Sequence, residues 1–444
     1  EMVARAHQAL DLLQYENLAL RIRVAKDLGY AHMARGAIDQ ALQAFSEAMT
    51  NGLSARYPYI SFMAVSDYAY VQYARGGAHT AVLACRQMIS QANTRNDLSA
   101  PGSGLPYLAL ADISRERYEF AGALPALAEA GARISNKNKT SYICLMIVEA
   151  RVAYVQGEIG AALDHIRRAR FVAQQHHLAW GSAVIDAMEA QIQIANGNLG
   201  TAASLLERVG LTPSPPEFRF FPPAVVYGAQ HCMVASLQLR LARGLADDPA
   251  TLRGLVSDLE DLICTADQAG LLWSQIKLRA IQALAFAGID QERQALTVLK
   301  RALSLAAPES YLAVIVSEGA PMADLIARAS ASNWLSEADT DLTAYLQRLK
   351  SLLDPTTYRD ELQPTLARAV ADPRNYAAAL PEPLSARELD VLRLVAEGQT
   401  NTDIAETLVI AISTVKSHVN SIFGKLGVST RAQAIARARR LDLI

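Results

Sequence analysis

A glycine-led helical pattern recurs from about residue 18 to residue 310. In each copy an apolar stretch rich in Ala and Tyr runs into a glycine, and a second amphipathic stretch follows. Self-similarity at a period near 40 residues is typical of solenoids, in which stacked helical hairpins cover one another's apolar faces. The five clearest copies are 41, 45, 35 and 40 residues apart and a sixth is weaker; they start at Gly36, Gly77, Gly122, Gly157, Gly197 and, for the weaker copy, Gly288.

These glycines predict where each hairpin turns, because Gly enters the left-handed conformation that ends a helix without a steric clash. Four tyrosines fall in the first helices of the pairs and are expected to pack in the core: Tyr30, Tyr70, Tyr118 and Tyr154. The repeat resembles the tetratricopeptide repeat, with a somewhat longer period. The predicted fold class is all-α, a tetratricopeptide-like helical-repeat solenoid followed by a small four-helix domain.

The composition agrees with a folded, helical protein of two or more domains. Apolar residues make up 51% and charged residues 19% of the 444 residues, and the formal net charge is −2. Such a chain is not a general polyanion binder, so any nucleic-acid site must be local. No apolar run is long enough to cross a membrane, and the N-terminus lacks the layout of a signal peptide. We therefore expect a cytoplasmic bacterial protein without membrane contact.

No cluster with the chemistry of a catalytic or metal site stands out. The pair His176-His177 has no carboxylate partner near it in sequence and is interpreted as a solvated helix end. Neither a phosphate-binding Gly-x-x-x-x-Gly-Lys-Ser/Thr loop nor a Gly-x-Ser-x-Gly elbow occurs. The chain is therefore predicted to be no enzyme and to hold no metal or cofactor. The four cysteines form no CxxC pair and are expected to be free, buried thiols: Cys85, Cys144, Cys232 and Cys264.

A proline-rich stretch, Thr212–Pro223, interrupts the repeats. Its five prolines forbid a continuous helix. Two interpretations stay open: a long connection between two helices, or a loop that presents Phe218, Phe220 and Phe221 to a ligand, since aromatic loop residues often carry recognition.

The region after the repeats changes character and predicts the domain boundaries. Further helices are expected, one of them around Asp339–Leu353, and X-Pro pairs from Asp354-Pro355 to Pro383 indicate a linker. We assign 1–310 to the repeat domain, 311–383 to terminal helices and linker, and 384–444 to a separate domain. Because residue 1 is not Met, we expect the chain to be a fragment of a longer protein.

The last domain, Leu384–Ile444, has the helix signals of a helix-turn-helix. Ser385 with Glu388 forms a capping box for the first helix, and Gly398 ends that helix. Thr400 is a good N-cap for a short second helix that turns Ile404, Ala405 and Leu408 inward. A third helix buries Val415, Val419, Ile422 and Leu426, Gly427 ends it, and a fourth helix begins near Thr430.

The outward side of the third helix suits the major groove of DNA. It carries Lys416, Ser417, Asn420, Ser421 and Lys425, and these side chains pair with phosphate, guanine or adenine. Lys plus Arg number 8 and Asp plus Glu number 6 within Leu384–Ile444. Since this excess of positive charge is small, the placement of the side chains and dimerisation must supply the affinity for DNA.

The segment resembles the LuxR-type helix-turn-helix domain over its full length. The motifs that carry the resemblance are Leu384-Ser-Ala-Arg-Glu-Leu, Asp403-Ile-Ala-Glu, Thr414-Val-Lys-Ser-His-Val and Lys425-Leu-Gly-Val. The resemblance implies double-stranded DNA as partner, with the third helix in the major groove. It places Lys416, Ser417 and Asn420 nearest the bases and gives phosphate contacts to Thr414, His418 and Lys425. Thr400 and Arg431 complete the predicted DNA contacts, and a homodimer contact on the fourth helix involves Ala432, Ile435, Ala436 and Arg439.

The repeat array upstream, with Gly319-Ala-Pro-Met-Ala after a Tyr-Leu-rich stretch, is similar to the large ATP-binding LuxR regulators of the MalT-like group. That resemblance implies a transcription activator whose repeat domain binds a small-molecule inducer or a protein effector and which contacts RNA polymerase. ATP would bind only to an N-terminal NTPase domain that this chain lacks.

Two departures from the LuxR pattern support an alternative. Ala411 stands where the family usually has a capping Ser, so that Ser413 is expected to cap a helix that starts two residues later, and Gly424 stands where a basic or larger residue is common. A lost cap and a mid-helix Gly each cost about 1 kcal/mol. The alternative function is a repeat-based protein-interaction scaffold with a degenerate DNA-binding module.

Overall fold

The chain divides into two compact units, Glu1–Pro364 and Thr365–Ile444. The computed structural model describes residues 2–13, 17–209, 223–331, 340–354, 386–408, 410–426, 428 and 430–440. The sequence boundaries at residues 310 and 383 stay predictions, and the helices up to Leu353 belong to the first unit.

Helices make up the regular structure of both units, and the described residues contain no β-strand, which confirms the all-α prediction. Two short 3-10 turns lie at Asp97–Ser99 and Ala307–Glu309. The helices of the first unit are α1 (Met2–Leu12), α2 (Leu18–Met33), α3 (Ile38–Ser54), α4 (Pro58–Arg75), α5 (Ala78–Thr94), α6 (Gly104–Glu116), α7 (Phe120–Arg133), α8 (Lys139–Val155), α9 (Ile159–Gln175), α10 (Ala179–Ala195), α11 (Leu199–Val209), α12 (Pro223–Asp247), α13 (Pro249–Gln268), α14 (Leu272–Gly288), α15 (Glu292–Ala306), α16 (Ala313–Val316), α17 (Ala320–Ala331) and α18 (Thr340–Leu353). Those of the second unit are α19 (Ala386–Ala396), α20 (Asn401–Leu408), α21 (Ile412–Leu426) and α22 (Arg431–Arg440).

Helices α2 to α15 form successive hairpins, each an even-numbered helix followed by the odd-numbered one that packs on it. The second helix of a pair is amphipathic: α15 buries Ala295, Leu299 and Leu303 at four-residue spacing along one stripe. The first helix is buried on most sides, as in α14, because the helices before and after it in the stack cover it. This arrangement confirms the tetratricopeptide-like solenoid.

Every hairpin turn except the one between α12 and α13 uses a left-handed residue, but it is not always the predicted glycine. Gly36, Gly157 and Gly197 have φ values of 74°, 79° and 78°, as expected. The prediction is wrong at the other three copies, where Gly77, Gly122 and Gly288 are not the left-handed residues. Gly76, Tyr118 and Asp290 take that conformation instead, with φ values of 109°, 58° and 59°. A single non-glycine residue pays only a modest steric cost there, so the pattern of glycines does not locate every turn.

Of the four tyrosines expected in first helices, Tyr118 is the exception, because it lies in the turn after α6. Tyr70 is buried in α4, and Tyr30 and Tyr154 are half-buried in α2 and α8. Tyr30 also has a polar role. Its hydroxyl donates to the carboxylate of Asp67 and accepts from Lys26 Nζ at 2.8 Å. Burial raises the pKa of Asp67 to about 6, although Lys26 and the Tyr30 hydroxyl oppose the shift.

The repeats of the first unit close on themselves. Helix α4 contacts α12 and α14, and the Tyr73 and Tyr311 rings lie 4.8 Å apart. The Tyr311 hydroxyl donates to the Tyr73 carbonyl, and the Tyr345 hydroxyl donates to the Tyr311 carbonyl at 2.6 Å. Helices α16 to α18 therefore pack into the same core as α4, although more than 200 residues separate them in sequence.

The cysteines and histidines of the first unit have ordinary surroundings. Cys85 and Cys232 are buried, but Cys144 is only half-buried and Cys264 is exposed, so the expectation of four buried thiols is wrong for these two. His176 and His177 are exposed at the end of α9, as predicted. Among the residues that the structure describes, no helix is long and apolar enough to cross a membrane and no group of side chains could hold a metal ion.

The second unit is a four-helix domain with its own core. The buried apolar side chains come from all four helices, and the second and third helices place them as the sequence predicts. The core residues are Val391, Leu392 and Val395 of α19, Ile404 and Ala405 of α20, Val415 and Ile422 of α21, and Ala434 and Ala438 of α22. Ser385, predicted to cap α19, and Gly427 lie outside the described residues, as do the side chains of Gly424 and Leu426.

Candidate functional site

The turn between α19 and α20 is built from local caps. Gly398 ends α19 in the left-handed conformation, at φ 88°. Thr400 Oγ1 accepts from the Asp403 amide at 3.3 Å, and the Thr400 amide donates to the Asp403 carboxylate at 2.9 Å. These bonds confirm Thr400 as the N-cap of α20. The backbone N–H of Thr400, and then its hydroxyl, hold the pKa of Asp403 below the usual value.

Helix α21 starts earlier than the sequence suggested. The amides of Thr414 and Val415 donate to the Ala411 carbonyl at 2.9 and 3.1 Å, so Ala411 occupies the cap position and Ser413 lies inside the first turn. The expectation that Ser413 caps a later start is therefore wrong. The helix forms without a side-chain oxygen at its N-terminus, and core contacts of Val415 and Ile422 hold it in place.

The exposed side of α21 brings the predicted reading residues together. Lys416 and Asn420 are exposed and lie four residues apart, so they form one stripe. Ile412, which is not among the predicted DNA contacts, is 43% exposed and extends this stripe by another turn. Thr414 and Ser417 are exposed beside the stripe, and His418 is half-buried. An exposed branched apolar side chain in line with polar ones was the signal that could have identified Ile412.

Two residues predicted to touch DNA also hold the domain together. The Ser421 hydroxyl donates to the buried Glu388 carboxylate at 2.6 Å and so ties α21 to α19. The Arg431 guanidinium donates to the carbonyls of Val395, at 3.1 Å, and Gln399, at the end of α19. Both residues thus have a structural role, and their contact with DNA stays a prediction.

The predicted dimer contact is only partly within the described residues. Ile435 packs against the core of the domain. The side chains of Lys425, Ala432, Ala436 and Arg439 lie outside the described residues, as do Phe218, Phe220 and Phe221 of the proline-rich stretch. These assignments stay predictions.

The first unit contains a cavity that the sequence did not predict. Its volume is about 670 Å³, and its lining comes from α6, α8, α10, α12 and α14, from residues 313–321 and from the end of α18. The first helices of the repeats therefore form most of the cavity wall, and residues 313–321 with the end of α18 form the remaining side. Most of the lining is apolar, and the polar remainder consists of charged side chains, carboxamides, hydroxyl groups and one imidazole.

One polar group at the cavity is an ion-pair cluster between α6 and α8. Arg115 and Arg151 each lie 2.8 Å from the Asp112 carboxylate, and Arg115 also pairs with Glu116. Burial would raise the pKa of Asp112, but Arg151 and Arg115 outweigh burial and lower it. The cluster therefore keeps two cations and two carboxylates in mutual contact inside the protein.

The second polar group connects α10, α12 and α14 to the segment between α16 and α17. Lys277 Nζ pairs with the Glu318 carboxylate, and both side chains are 3% exposed. Gln238 Nε2 donates to the Glu318 carboxylate at 2.9 Å, and Gln191 Nε2 donates to Gln238 Oε1 at 2.9 Å. Nearby, burial lowers the pKa of His231 well below its usual value, so this imidazole is neutral.

Family models match both units. The MalT-like TPR region matches residues 1–332, three quarters of the chain, and the luxR family of bacterial regulatory proteins matches residues 382–438. The chain belongs to the MalT-like family of LuxR regulators. This confirms the resemblance that the repeat array and the C-terminal motifs carry.

Each relative matches only a part of this MalT-like regulator. "Probable transcriptional regulatory protein NarL" of Mycobacterium tuberculosis is 44% identical over 97 residues, which are 22% of this chain and 45% of the relative. "Transcriptional regulatory protein LiaR" of Bacillus subtilis is 52% identical over 67 residues, 15% and 32% of the two chains. "HTH-type transcriptional regulator MalT" of Serratia proteamaculans is 28% identical over 153 residues, 34% and 17%. The chain thus spans less than half the length of each of these relatives.

Among solved structures, the P58(IPK) TPR domain is 14% identical and covers 76% of this chain and 99% of its own. Its TM-score of 0.20 is too low to support a statement about fold.

Proposed function

We propose that this chain is the sensing and DNA-binding part of a transcription activator, in which the repeat array binds an effector and α21 reads DNA. The stripe of Ile412, Lys416 and Asn420 carries the proposal, because it gives α21 an exposed face with the side-chain chemistry of base recognition. The matched luxR family and the names of the relatives support the same class of function.

The test of DNA reading starts from selection of genomic fragments that the chain retains. We expect Lys416→Ala with Asn420→Ala to lower affinity for a retained fragment by at least about 30-fold, since two specific base contacts at about 1–3 kcal/mol each contribute at least about 2 kcal/mol. Asn136→Ala with Lys137→Ala removes the same two residue types from an exposed loop of the first unit and is the matched control. Affinity should also fall steeply with salt.

An unchanged affinity in the Lys416 and Asn420 variant would show that α21 does not read the bases. Retention of a protein partner with no DNA protection would favour the alternative, a scaffold with a degenerate DNA-binding module. The Ala411 and Gly424 departures motivate that alternative, although α21 forms despite them.

Ile412 is proposed to read a thymine methyl group, the apolar feature of the major groove. Replacing that thymine by uracil in a retained fragment removes only the methyl, so affinity should fall about fourfold, as expected for one buried methyl. The same replacement should have no effect on Ile412→Ala. Equal sensitivity of the two proteins would mean that another group makes the contact.

The cavity of the first unit is the proposed effector site. Its wall at residues 313–321 and Leu352-Leu353 belongs to the segment that leads along the chain into the second unit. An effector that binds one arrangement of this wall better than another shifts the population toward it. Equal DNA affinity of the full chain with and without an effector that binds the cavity would contradict control through this wall.

The remaining parts of the proposal concern a second copy of the chain, RNA polymerase and ATP. They are a homodimer on DNA through α22, contact with RNA polymerase, and ATP binding only by a domain outside this chain. Sedimentation should show two chains on each DNA site. Transcription by purified RNA polymerase should increase when the chain is added. Equilibrium dialysis should show no binding of labelled ATP by this chain.

A further inference from the structure

The walls of the cavity are mainly apolar. Met188 and Ile192 of α10, Leu241 of α12, Leu284 of α14 and Val314 of α16 all line it and are almost wholly buried. A ligand here gains affinity chiefly from removal of its own apolar surface from water, as in most small-molecule sites. The main body of the ligand must therefore be apolar.

The charged side chains in and directly behind the cavity wall balance one another. Asp112 does not line the cavity but pairs with the lining side chains Arg115 and Arg151, and Arg115 also pairs with Glu116, so that two guanidinium groups meet two carboxylates. Lys277 and Glu318 form a second pair, with one charge of each sign. His231 adds no charge, because its imidazole is neutral. The buried ionised side chains around the cavity thus carry no net charge.

A charged ligand is disfavoured by this balance. Its charge would be buried without a partner, or it would have to separate Lys277 from Glu318 and leave one of them unpaired, and both outcomes are costly in a site removed from water. An uncharged hydrogen-bonding group faces no such cost. The carboxamides of Gln191 and Gln238 line the cavity and can exchange hydrogen bonds with such a group without any change in charge.

We infer that the effector is an amphipathic small molecule with an apolar body and an uncharged hydrogen-bonding end, and that the Lys277–Glu318 pair rejects charged analogues. The inference rests on the proposed effector role of the cavity and adds the chemical class of the ligand. Specificity of this kind comes from the penalty on the wrong ligand as much as from contacts with the right one.

The test uses three fluorescent probes with one apolar body and different ends: 1-pyrenebutanol, 1-pyrenebutyrate and 1-pyrenebutylamine. Titration of each into the full chain at neutral pH should show that the alcohol binds about tenfold or more tightly than either charged probe, because only the charged ends meet an uncompensated desolvation cost. Equal or tighter binding of the carboxylate or the amine, or no binding by the alcohol, would overturn the inference.

Two variants assign the binding to the cavity. Ala242→Trp places a large side chain on a half-buried lining position and should abolish binding of the alcohol. Ala132→Trp adds the same side chain at an exposed position of α7 outside the lining and should leave binding unchanged. If both variants bind the alcohol alike, it binds elsewhere.

Two charge changes test the role of the ion pair. Glu318→Gln leaves Lys277 without its carboxylate, so the preference should move to pyrenebutyrate. Lys277→Gln leaves Glu318 without its cation, so the preference should move to pyrenebutylamine. Circular dichroism checks that each variant is folded, and if neither folds, the comparison of the three probes on the unchanged chain still decides. An unchanged preference in a folded variant contradicts the inference.

DNA retention is measured separately from these titrations. If the probes behave as expected but no genomic fragment is retained, the proposed DNA-reading function fails and the ligand class stands. If fragments are retained but the probes fail, only the ligand class is wrong.

Discussion

The two units of this regulator differ in where the charged and polar side chains that concern us lie. The repeat array buries several of them, and Lys26, Lys277 and Asp112 are almost wholly inaccessible to solvent. The helix-turn-helix unit displays them along α21, where Lys416 and Asn420 face solvent. A buried charge contributes to stability only while its partner is present, whereas an exposed one is available to a ligand. The same kind of substitution should therefore change stability in one unit and binding in the other.

The largest expected effect is at Lys277. Lys277→Ala leaves the Glu318 carboxylate buried without its cation and should lower the free energy of unfolding of the first unit by about 3–5 kcal/mol. Lys416→Ala removes a lysine from the surface of α21 and should change stability by less than about 0.5 kcal/mol. Urea unfolding of both variants measures the difference. Similar losses in the two would remove the contrast between the units.

A pH effect of intermediate size is expected at Asp67. Its pKa in the folded chain is about 6, above the usual aspartate value of 3.8, so between these pH values the folded state holds the proton more tightly. The contribution of Asp67 to the free energy of unfolding should thus be greatest at low pH and fall by up to about 3 kcal/mol as the pH rises through 6.

The comparison of the wild type with Asp67→Asn isolates this dependence, since the amide does not titrate. The difference in stability between the two proteins should shift in favour of the variant as the pH rises from about 4 to about 7. Asp261→Asn, at an exposed position of α13, should show no such shift. A difference that does not vary with pH would mean that Asp67 keeps an ordinary pKa.

The smallest effect concerns the caps of the second unit. Ala411→Ser adds a side-chain oxygen at the N-terminus of α21 and should stabilise that helix by about 1 kcal/mol. Thr400→Ala removes the cap of α20 and should destabilise it by a similar amount. Amide hydrogen exchange of the two helices in the full chain reports each effect locally. If Ala411→Ser slows no exchange in α21, another group already satisfies its first amides.

The sequence predicts the elements whose cause is local. The hairpin period, the Thr400 cap and the inward residues Ile404 and Val415 all follow from short-range rules, and the structure confirms them. Turns were missed where a residue other than glycine takes the left-handed conformation, as at Tyr118. The start of α21 was misplaced because its core contacts fix the helix even where Ala411 supplies no cap.

The cavity was missed for a different reason. Lys277 and Glu318 are 41 positions apart, and Arg115 lies far before both of them in sequence, so no pattern along the chain brings them together. A lysine within the apolar helix α14 was the one local sign that a buried partner must exist. Identifying that partner needs the stacking of the helices.

The contact between Tyr73 and Tyr311 alters the cooperativity of the array. In an open solenoid each repeat depends on its neighbours alone, so the molecule can fray from either end one hairpin at a time. Here Tyr311, just before α16, packs on Tyr73 of α4, and its hydroxyl joins segments 238 residues apart. Tyr345 of α18 in turn donates to the Tyr311 carbonyl. Loss of the terminal helices α16 to α18 would therefore loosen the repeat that contains α4. We expect the array to unfold in a single thermal transition.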